Sequence, residues 1–195
     1  MHGLIHRDVK PTNLFICRMG LNVDVVKLLD FGLVKSTLAG AETRMTMDGM
    51  TTGTPAYMAP EIAMGSQDVD GRSDLYQLGC VAYWLLTGQL VFDEPTPVAM
   101  ALAHVQRELV APSLRGELPV PDGLERLVMA CLAKNREDRP QSAVELDRML
   151  AKLEDVLQWT AEDAHRWWQV NLPCCTLPVE EEAESVSDPE GSAAT

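Results

Sequence analysis

The chain has 195 residues, of which 46% are hydrophobic and 23% are charged, a balance typical of a globular domain with its own core. Its formal net charge is −13, and six of its acidic residues lie in the last twenty positions, which contain no lysine or arginine. Such an acidic chain does not present the clustered basic side chains that non-specific nucleic-acid binding requires. We therefore expect no nucleic-acid partner.

The five cysteines have neither the even count of a disulfide framework nor the spacing of a zinc site, which favours reduced thiols. The adjacent Cys174 and Cys175 leave open a metal or acylation site. No apolar segment approaches the roughly 20 residues that a transmembrane helix needs, and the N-terminus has no secretory signal. These features predict a cytoplasmic protein without a membrane segment.

Two short β-type runs, Leu14 to Cys17 and Val23 to Leu29, flank a turn-like segment that contains Gly20 and Asn22. This pattern predicts a β-hairpin. Residues 30–58 are rich in glycine, threonine and methionine and have no sustained hydrophobic period. We predict a long ordered loop here; loops of this length inside a compact domain are usually functional or disordered.

From Ser73 onward the hydrophobic period is that of a helix. Ser73 is predicted to cap a helix from Asp74 to Leu86, with Gly88 as its C-terminal stop. Thr160 is predicted to cap a short helix near the C-terminus. Three further helices are predicted between these two, over 97–107, 124–134 and 142–157.

Three motifs follow one another in a fixed order: HRDVKPTN at residues 6–13, DFG at 30–32 and GTPAYMAPE at 53–61. In this order, with a hairpin between the first two, they resemble the catalytic loop, the metal-binding motif and the end of the activation segment of protein kinases. The resemblance covers about residues 3–155. The stretch over 78–88 resembles bacterial-type Ser/Thr kinases in particular.

The resemblance implies a role for each polar residue of these motifs. Asp8 would accept the proton of the substrate hydroxyl, and Lys10 would balance charge on the γ-phosphate of ATP. Asn13 and Asp30 would bind Mg²⁺, which prefers oxygen ligands. Phe15, where the family usually has leucine, would lie under the adenine ring. The implied cofactors are ATP and Mg²⁺.

Lys10 and Thr54 mark the Ser/Thr branch of the family, and the resemblance implies that Thr54 contacts both Asp8 and Lys10. The implied partners are therefore proteins that present a serine or threonine hydroxyl. Arg7 implies regulation by phosphorylation of the activation loop, because arginine pairs well with phosphate. Thr46 is the preferred acceptor by its distance from Thr54; the other candidates are Thr43, Thr51 and Thr52.

Three further residues match structural positions of the family. The carboxylate of Asp74 is expected to accept backbone N–H bonds from the catalytic loop. Glu61 and Arg139 are expected to form a buried ion pair that holds the activation segment to the helical lobe, the alternative being that Arg139 is a surface arginine. His6 is expected to be a buried scaffold residue and not a catalyst.

The implied fold is mainly α: the helical C-terminal lobe of a kinase, with a small β-hairpin that carries the catalytic and metal-binding loops. The 195 residues contain no Gly-x-Gly-x-x-Gly motif and no strand with an ATP-anchoring lysine. We therefore expect a kinase lobe at 1–158, a tryptophan-rich helical extension at 159–175 and an acidic disordered tail at 176–195.

Two interpretations of a kinase lobe without these ATP-binding elements are open. The chain is expected to be inactive alone and to transfer phosphate when an ATP-binding lobe completes it. The alternative is a catalytically inactive kinase-like module that regulates a partner kinase domain by binding to it.

Overall fold

The computed structural model describes residues 5–20, 22–29, 54–153 and 159–172. The chain divides into two compact units, Met1–Gln158 and Trp159–Thr195. The predictions for Asp30 and Thr46, for the Cys174–Cys175 pair and for the acidic tail all lie outside the described residues.

An antiparallel hairpin, β1 (Leu14–Met19) and β2 (Asn22–Leu28), follows the first motif directly. Gly20 in its turn has a φ of 60°, a left-handed conformation that glycine adopts without steric cost. The amide of Leu29 donates to the carbonyl oxygen of Asn13 at 2.9 Å, which joins the end of the hairpin to the end of the loop before it. The predicted hairpin is confirmed.

The described residues are otherwise mainly helical. The α-helices are α1 (Pro60–Ala63), α2 (Gly71–Thr87), α3 (Pro97–Gln106), α4 (Asp122–Cys131), α5 (Ala143–Leu150) and α6 (Ala161–Asn171). Short 3₁₀ helices cover Pro11–Asn13, Pro55–Tyr57, Pro112–Leu114 and Arg136–Asp138. Five of these ten elements begin at a proline, whose fixed φ and absent N–H suit the first helical position.

Helix α2 begins earlier than predicted. Its N-cap is Asp70, whose side chain accepts a hydrogen bond from the backbone N–H of Arg72. The prediction that Ser73 caps this helix is wrong, because the Ser73 hydroxyl donates to the carboxylate of Glu61 at 2.5 Å. Aspartate and serine are equally good N-cap residues. Asp70 is the cap here because the Ser73 hydroxyl is bonded to Glu61, twelve residues earlier in the sequence. Gly88 ends the helix with a φ of 68°, as predicted.

The predicted helix over 142–157 is shorter in the structure. Ser142 caps α5 by accepting from the amide of Glu145, but the helix ends at Leu150. Beyond it, the amides of Lys152 and Leu153 bond to carbonyls three residues back, a tightening that is common at the end of a helix. Helices α3 and α4 also end before their predicted C-terminal residues.

Helix α2 is the central element of the larger unit. Gly79 allows close packing of α2, because a Cβ there would lie 2.9 Å from the Cβ of Cys131, the last residue of α4. The larger core cluster consists of Ala59, Tyr76, Cys80, Tyr83, Val91, Phe92, Ala103, Val128 and Leu132. A second cluster consists of Leu75, Leu127, Cys131 and Leu146. The cysteines within the described residues are free thiols.

Helix α6 lies in the smaller unit and begins as predicted. Thr160 and Asp163 form a reciprocal capping box at its N-terminus. Trp168 is buried, whereas Trp159 and Trp167 are exposed. Within the described part of the chain, no helix has the length and apolar character needed to span a bilayer.

Candidate active site

The segment that carries the first motif is fixed by side chains of α2. Both carboxylate oxygens of Asp74 accept backbone N–H bonds, one from His6 and one from Arg7, each at 2.8 Å. One turn along the helix, Gln77 accepts from the amide of Val9 at 2.9 Å and donates to the carbonyl of Arg7 at 3.2 Å. Burial raises the pKa of Asp74 above its usual value, although the two amide donors act in the opposite direction. Side chains of this one helix therefore hold the backbone of residues 6–9 in place.

The first residues of this loop have a scaffold role. His6 is buried, and its Nδ1 accepts from the amide of Asp8 at 3.3 Å. Its Nε2 therefore carries the hydrogen and donates to the carbonyl of Leu29 at 3.0 Å, which ties the loop to the end of the hairpin. Arg7 has a φ of 65°, a conformation that non-glycine residues rarely adopt. The bond from its amide to Asp74 helps to hold that conformation, while its side chain is exposed.

The polar side chains of the loop converge on the carboxylate of Asp8. The Nζ atom of Lys10 lies 2.8 Å from Asp8 Oδ2 and donates to the hydroxyl of Thr54 at 3.1 Å. The side-chain amide of Asn13 donates to the carbonyl oxygen of Asp8 at 2.8 Å and to Asp8 Oδ2 at 3.2 Å. Four of the residues singled out in the sequence thus lie in one hydrogen-bonded group.

The hydroxyl of Thr54 joins this group through Lys10. The resemblance implies that Thr54 touches both Asp8 and Lys10; its hydroxyl accepts from Lys10, and within the described residues no hydrogen bond joins it to Asp8. The ammonium group of Lys10 bridges the two residues, since it lies 2.8 Å from Asp8 Oδ2 and 3.1 Å from the Thr54 hydroxyl oxygen. Thr54 is therefore linked to the carboxylate through Lys10.

The donor set around Asn13 fits a metal ligand. Its amide nitrogen donates to Asp8, and among the described residues no donor bonds to its Oδ1 atom, an oxygen of the type that Mg²⁺ prefers. The other implied ligand, Asp30, lies outside the described residues. Elsewhere in the described residues, no group of three or more His, Cys, Asp or Glu side chains could hold a metal ion.

The ion pair between Glu61 and Arg139 is buried and fully hydrogen-bonded. The two terminal guanidinium nitrogens of Arg139 each donate to a different oxygen of Glu61 at 2.8 Å. The side chain of Arg139 is 0% exposed and that of Glu61 is 10% exposed. The three remaining N–H groups of Arg139 donate to the backbone carbonyls of Ala133, Arg72 and Lys134.

The electrostatics of this pair favour the ionised carboxylate. Burial raises the pKa of Glu61, but the hydrogen bonds from Arg139 and Ser73 outweigh it, so the pKa of that carboxyl lies below its usual range. The guanidinium also lies 4.8 Å from the centre of the Tyr76 ring. The pair connects α1, in which the third motif ends, to the segment after α4.

Residues 1–150 match the sequence model of the protein kinase domain. This chain belongs to the protein kinase family. The serine/threonine-protein kinase PknB of Mycolicibacterium smegmatis is 41% identical over 154 residues, which are 79% of this chain and 24% of that protein. The serine/threonine-protein kinase Pkn1 of Myxococcus xanthus is 46% identical over 138 residues, which are 70% of this chain and 19% of that protein. The resemblance to bacterial Ser/Thr kinases is thereby confirmed.

The kinase chain covers about a quarter or less of the length of these two relatives. Of the residues singled out in its sequence, the structure groups Asp8, Lys10, Asn13 and Thr54 in one place. Asp74 is hydrogen-bonded to the backbone of the loop, and Glu61 and Arg139 are paired in the core. Phe15 lies on β1 and is 47% exposed.

Sequence reasoning missed two buried polar residues: Gln77 on α2, described above, and His104 on α3. The hydroxyl of Tyr76 lies 2.9 Å from Nδ1 of His104, and the carbonyl oxygen of Ala56 lies 3.1 Å from its Nε2. Because a carbonyl only accepts, Nε2 carries the hydrogen and Nδ1 accepts from Tyr76. A single histidine within an otherwise apolar helical run was the available sequence signal.

The surroundings of His104 keep it neutral. Burial and the nearby ammonium of Lys134 lower the pKa of His104 to about 4. That ammonium donates to the backbone carbonyl of His104 at 2.8 Å and lies 4.5 Å from the centre of the Phe92 ring. Burial in turn lowers the pKa of Lys134 to about 8.

His104 is expected to make the kinase chain less stable as the pH falls from about 6.5 to about 4. In this range the unfolded chain binds a proton at this histidine and the folded chain does not, so the free energy of unfolding decreases towards acid. The contribution is at most about 1.4 kcal/mol per pH unit. The groups that face the ring are Tyr76, Phe92, the Ala56 carbonyl and Lys134, none of which titrates in this range.

Urea unfolding at pH 7, 6 and 5 measures this dependence. The His104→Gln variant should have a flatter profile than the unmodified chain. The matched control is His165→Gln, at an exposed histidine, which should leave the profile unchanged. Parallel profiles for the unmodified chain and His104→Gln would contradict the buried neutral histidine.

Proposed function

We propose that this chain is the substrate-binding lobe of a Ser/Thr protein kinase. Completed by an ATP-binding lobe, it would transfer the γ-phosphoryl group of ATP to serine or threonine hydroxyls of proteins. The observation that carries the proposal is the convergence of Lys10 and Asn13 on the carboxylate of Asp8, with Thr54 bonded to Lys10. A structural turn aspartate has no need of this combination of partners.

In the proposed reaction, Asp8 orients the substrate hydroxyl and takes its proton. The two described donors to this carboxylate both use Oδ2, and in the proposal Oδ1 accepts the hydroxyl. The hydroxyl oxygen bonds to the γ-phosphorus while the bond between that phosphorus and the oxygen of the ADP leaving group breaks. The side chain of Asp8 is 20% exposed, so a peptide can reach it.

The neighbours of Asp8 supply charge and metal binding in this proposal. Lys10 places a positive charge 2.8 Å from Asp8, where negative charge accumulates on the transferred phosphoryl group. Asn13 would hold Mg²⁺ through its Oδ1, together with Asp30. When bound, Mg²⁺ supplies neutralisation of the phosphate charge.

A groove beside Thr54 supports a peptide substrate. It has a volume of about 280 Å³, lies between the 3₁₀ helix Pro55–Tyr57 and the start of α3, and is lined mainly by apolar atoms. Its carboxylate, Glu94, is paired with Arg107. We propose that the residue next to the phosphate acceptor binds here and that uncharged side chains are favoured.

Exposed apolar side chains support the proposal that a further lobe completes the site. On α2, Leu78 and Leu85 lie two turns apart on one face and are 37% and 71% exposed. On the hairpin, the register partners Ile16 and Val26 are 62% and 61% exposed. Apolar side chains exposed in groups commonly mark a surface that packs against a partner.

Phosphate transfer from γ-labelled ATP tests this proposal. The 195-residue chain alone should not label a serine-containing peptide and should bind a hydrophobic dye. The same chain, fused behind the ATP-binding lobe of the similar PknB of Mycolicibacterium smegmatis, should label the peptide in the presence of Mg²⁺.

Two outcomes of this experiment count against the proposal in different ways. Labelling by the chain alone would show that no further lobe is needed. Absence of labelling by a fusion that is folded and binds ATP would refute the phosphoryl-transfer function. In that case the alternative of an inactive module that binds a kinase domain would be favoured.

A further inference from the structure

Helix α2 contacts two segments of the site, residues 6–9 and the third motif, in two different ways. It holds the backbone of residues 6–9 directly, through Asp74 and Gln77. It reaches the third motif indirectly: the Tyr76 hydroxyl bonds to His104, which bonds to the carbonyl of Ala56. One helix therefore fixes both segments that meet at Lys10 and Thr54.

We infer that His104 is a positioning residue, which holds Thr54 in place against Lys10 through the Ala56 carbonyl. Thr54 is the N-cap of the 3₁₀ helix Pro55–Tyr57, and Ala56 is the middle residue of that helix. The amide of Tyr57 donates to the Thr54 carbonyl at 3.0 Å, so this turn transmits a displacement of Ala56 to Thr54. The Thr54 hydroxyl then sets the position of the Lys10 ammonium, which lies 2.8 Å from Asp8.

The contacts of His104 are more specific than packing alone requires. Both ring nitrogens are used, each with a different partner, and His104 and Tyr76 are both 0% exposed. An apolar ring of similar size would fill the space but leave a buried hydroxyl and a buried carbonyl without partners. The Phe92 ring packs edge-on against the imidazole at 5.0 Å, which fixes the orientation of the ring.

Two substitutions distinguish the hydrogen bond made by Nε2 of His104 from the one made by its Nδ1. In His104→Gln, the side-chain amide nitrogen reaches the place of Nε2 and can donate to Ala56. In His104→Asn, the shorter side chain reaches only the place of Nδ1, so the bond to Ala56 is lost. Both variants lose the aromatic ring and therefore a similar amount of packing.

Hydrogen–deuterium exchange of the full 195-residue chain tests the inference without any kinase activity. In His104→Asn the amides of Tyr57 and Met58 should exchange about tenfold faster than in the unmodified chain, as expected for the loss of one hydrogen bond. In His104→Gln, they should exchange at close to the original rate. Equal acceleration in both variants, or acceleration in neither, would overturn the positioning role.

A second measurement needs no substitution and decides the case if a variant does not fold. Nitrogen-15 NMR of the unmodified chain at pH 7 should show His104 as the neutral tautomer with its hydrogen on Nε2. A hydrogen on Nδ1 would overturn the inference, because Nε2 could then not donate to Ala56.

The effect on phosphate transfer rests on the proposed function and is measured separately. In the fused kinase, His104→Asn should raise the KM for the peptide about tenfold and leave the KM for ATP unchanged, and His104→Gln should restore the peptide KM. An unchanged peptide KM in His104→Asn would overturn the positioning role. A folded fusion without activity would refute the proposed function, while the exchange and NMR results would still decide on His104.

Discussion

The Arg139→Met variant of the 195-residue chain is expected to lose about 3–5 kcal/mol of unfolding free energy. The substitution leaves the Glu61 carboxylate buried without its main partner and leaves three backbone carbonyls without their donor. Urea unfolding followed by circular dichroism measures the loss. The double variant Glu61→Met with Arg139→Met should be more stable than Arg139→Met alone, because no uncompensated charge stays buried.

The matched control for this prediction is Arg107→Met. Arg107 also pairs with a glutamate, Glu94, but its side chain is 57% exposed. Exposed pairs contribute roughly 0–1 kcal/mol, so this variant should unfold at nearly the original urea concentration. Similar losses for Arg139→Met and Arg107→Met would contradict the structural role given to the buried pair.

The Asp8→Asn variant of the fused kinase is expected to lower kcat by about 10²–10⁴-fold. The amide keeps the size of the side chain, but it cannot take the proton of the substrate hydroxyl or pair with the ammonium of Lys10. The KM for the peptide should change little, because the groove beside Thr54 does not include Asp8. Steady-state kinetics with a serine peptide measures both constants.

The Asp93→Asn variant is the control for this kinetic prediction. It removes the same charge from an exposed aspartate outside the site, and its kcat should equal that of the unmodified fusion. ATP binding to both variants should be unchanged, which shows that the fold of the fusion is intact. A kcat within a few-fold of the original in Asp8→Asn would contradict the role of Asp8 as the base.

The polar residues of the site could be found from the sequence because they lie close together along the chain. Asp8, Lys10 and Asn13 lie within a stretch of six residues, so any compact loop brings them near one another. Thr54 is 44 residues from Lys10, and its contact with that lysine rested on the resemblance alone. The bridging position of the lysine between Asp8 and Thr54 depends on distances of 2.8 and 3.1 Å, which no sequence pattern encodes.

The features that the sequence did not reveal depend on contacts between distant residues. Ser73 has the properties of an N-cap, but its hydroxyl is engaged by Glu61, and Asp70 caps α2 instead. His104 reads as a single polar residue in an apolar run, and its partners are 28 and 48 residues away. Local propensity predicts caps and helices, whereas a buried polar group is explained only by the partners that satisfy it.

The measurement that tests the central claim most directly is phosphate transfer by the fused kinase to three matched peptides. These peptides should differ only in the acceptor, which is serine, threonine or tyrosine. The proposed site predicts labelling of the serine and threonine peptides with Mg²⁺, no labelling of the tyrosine peptide, and loss of labelling in Asp8→Asn. Labelling of the tyrosine peptide at a similar rate, or no labelling of any peptide by a folded fusion that binds ATP, would contradict it.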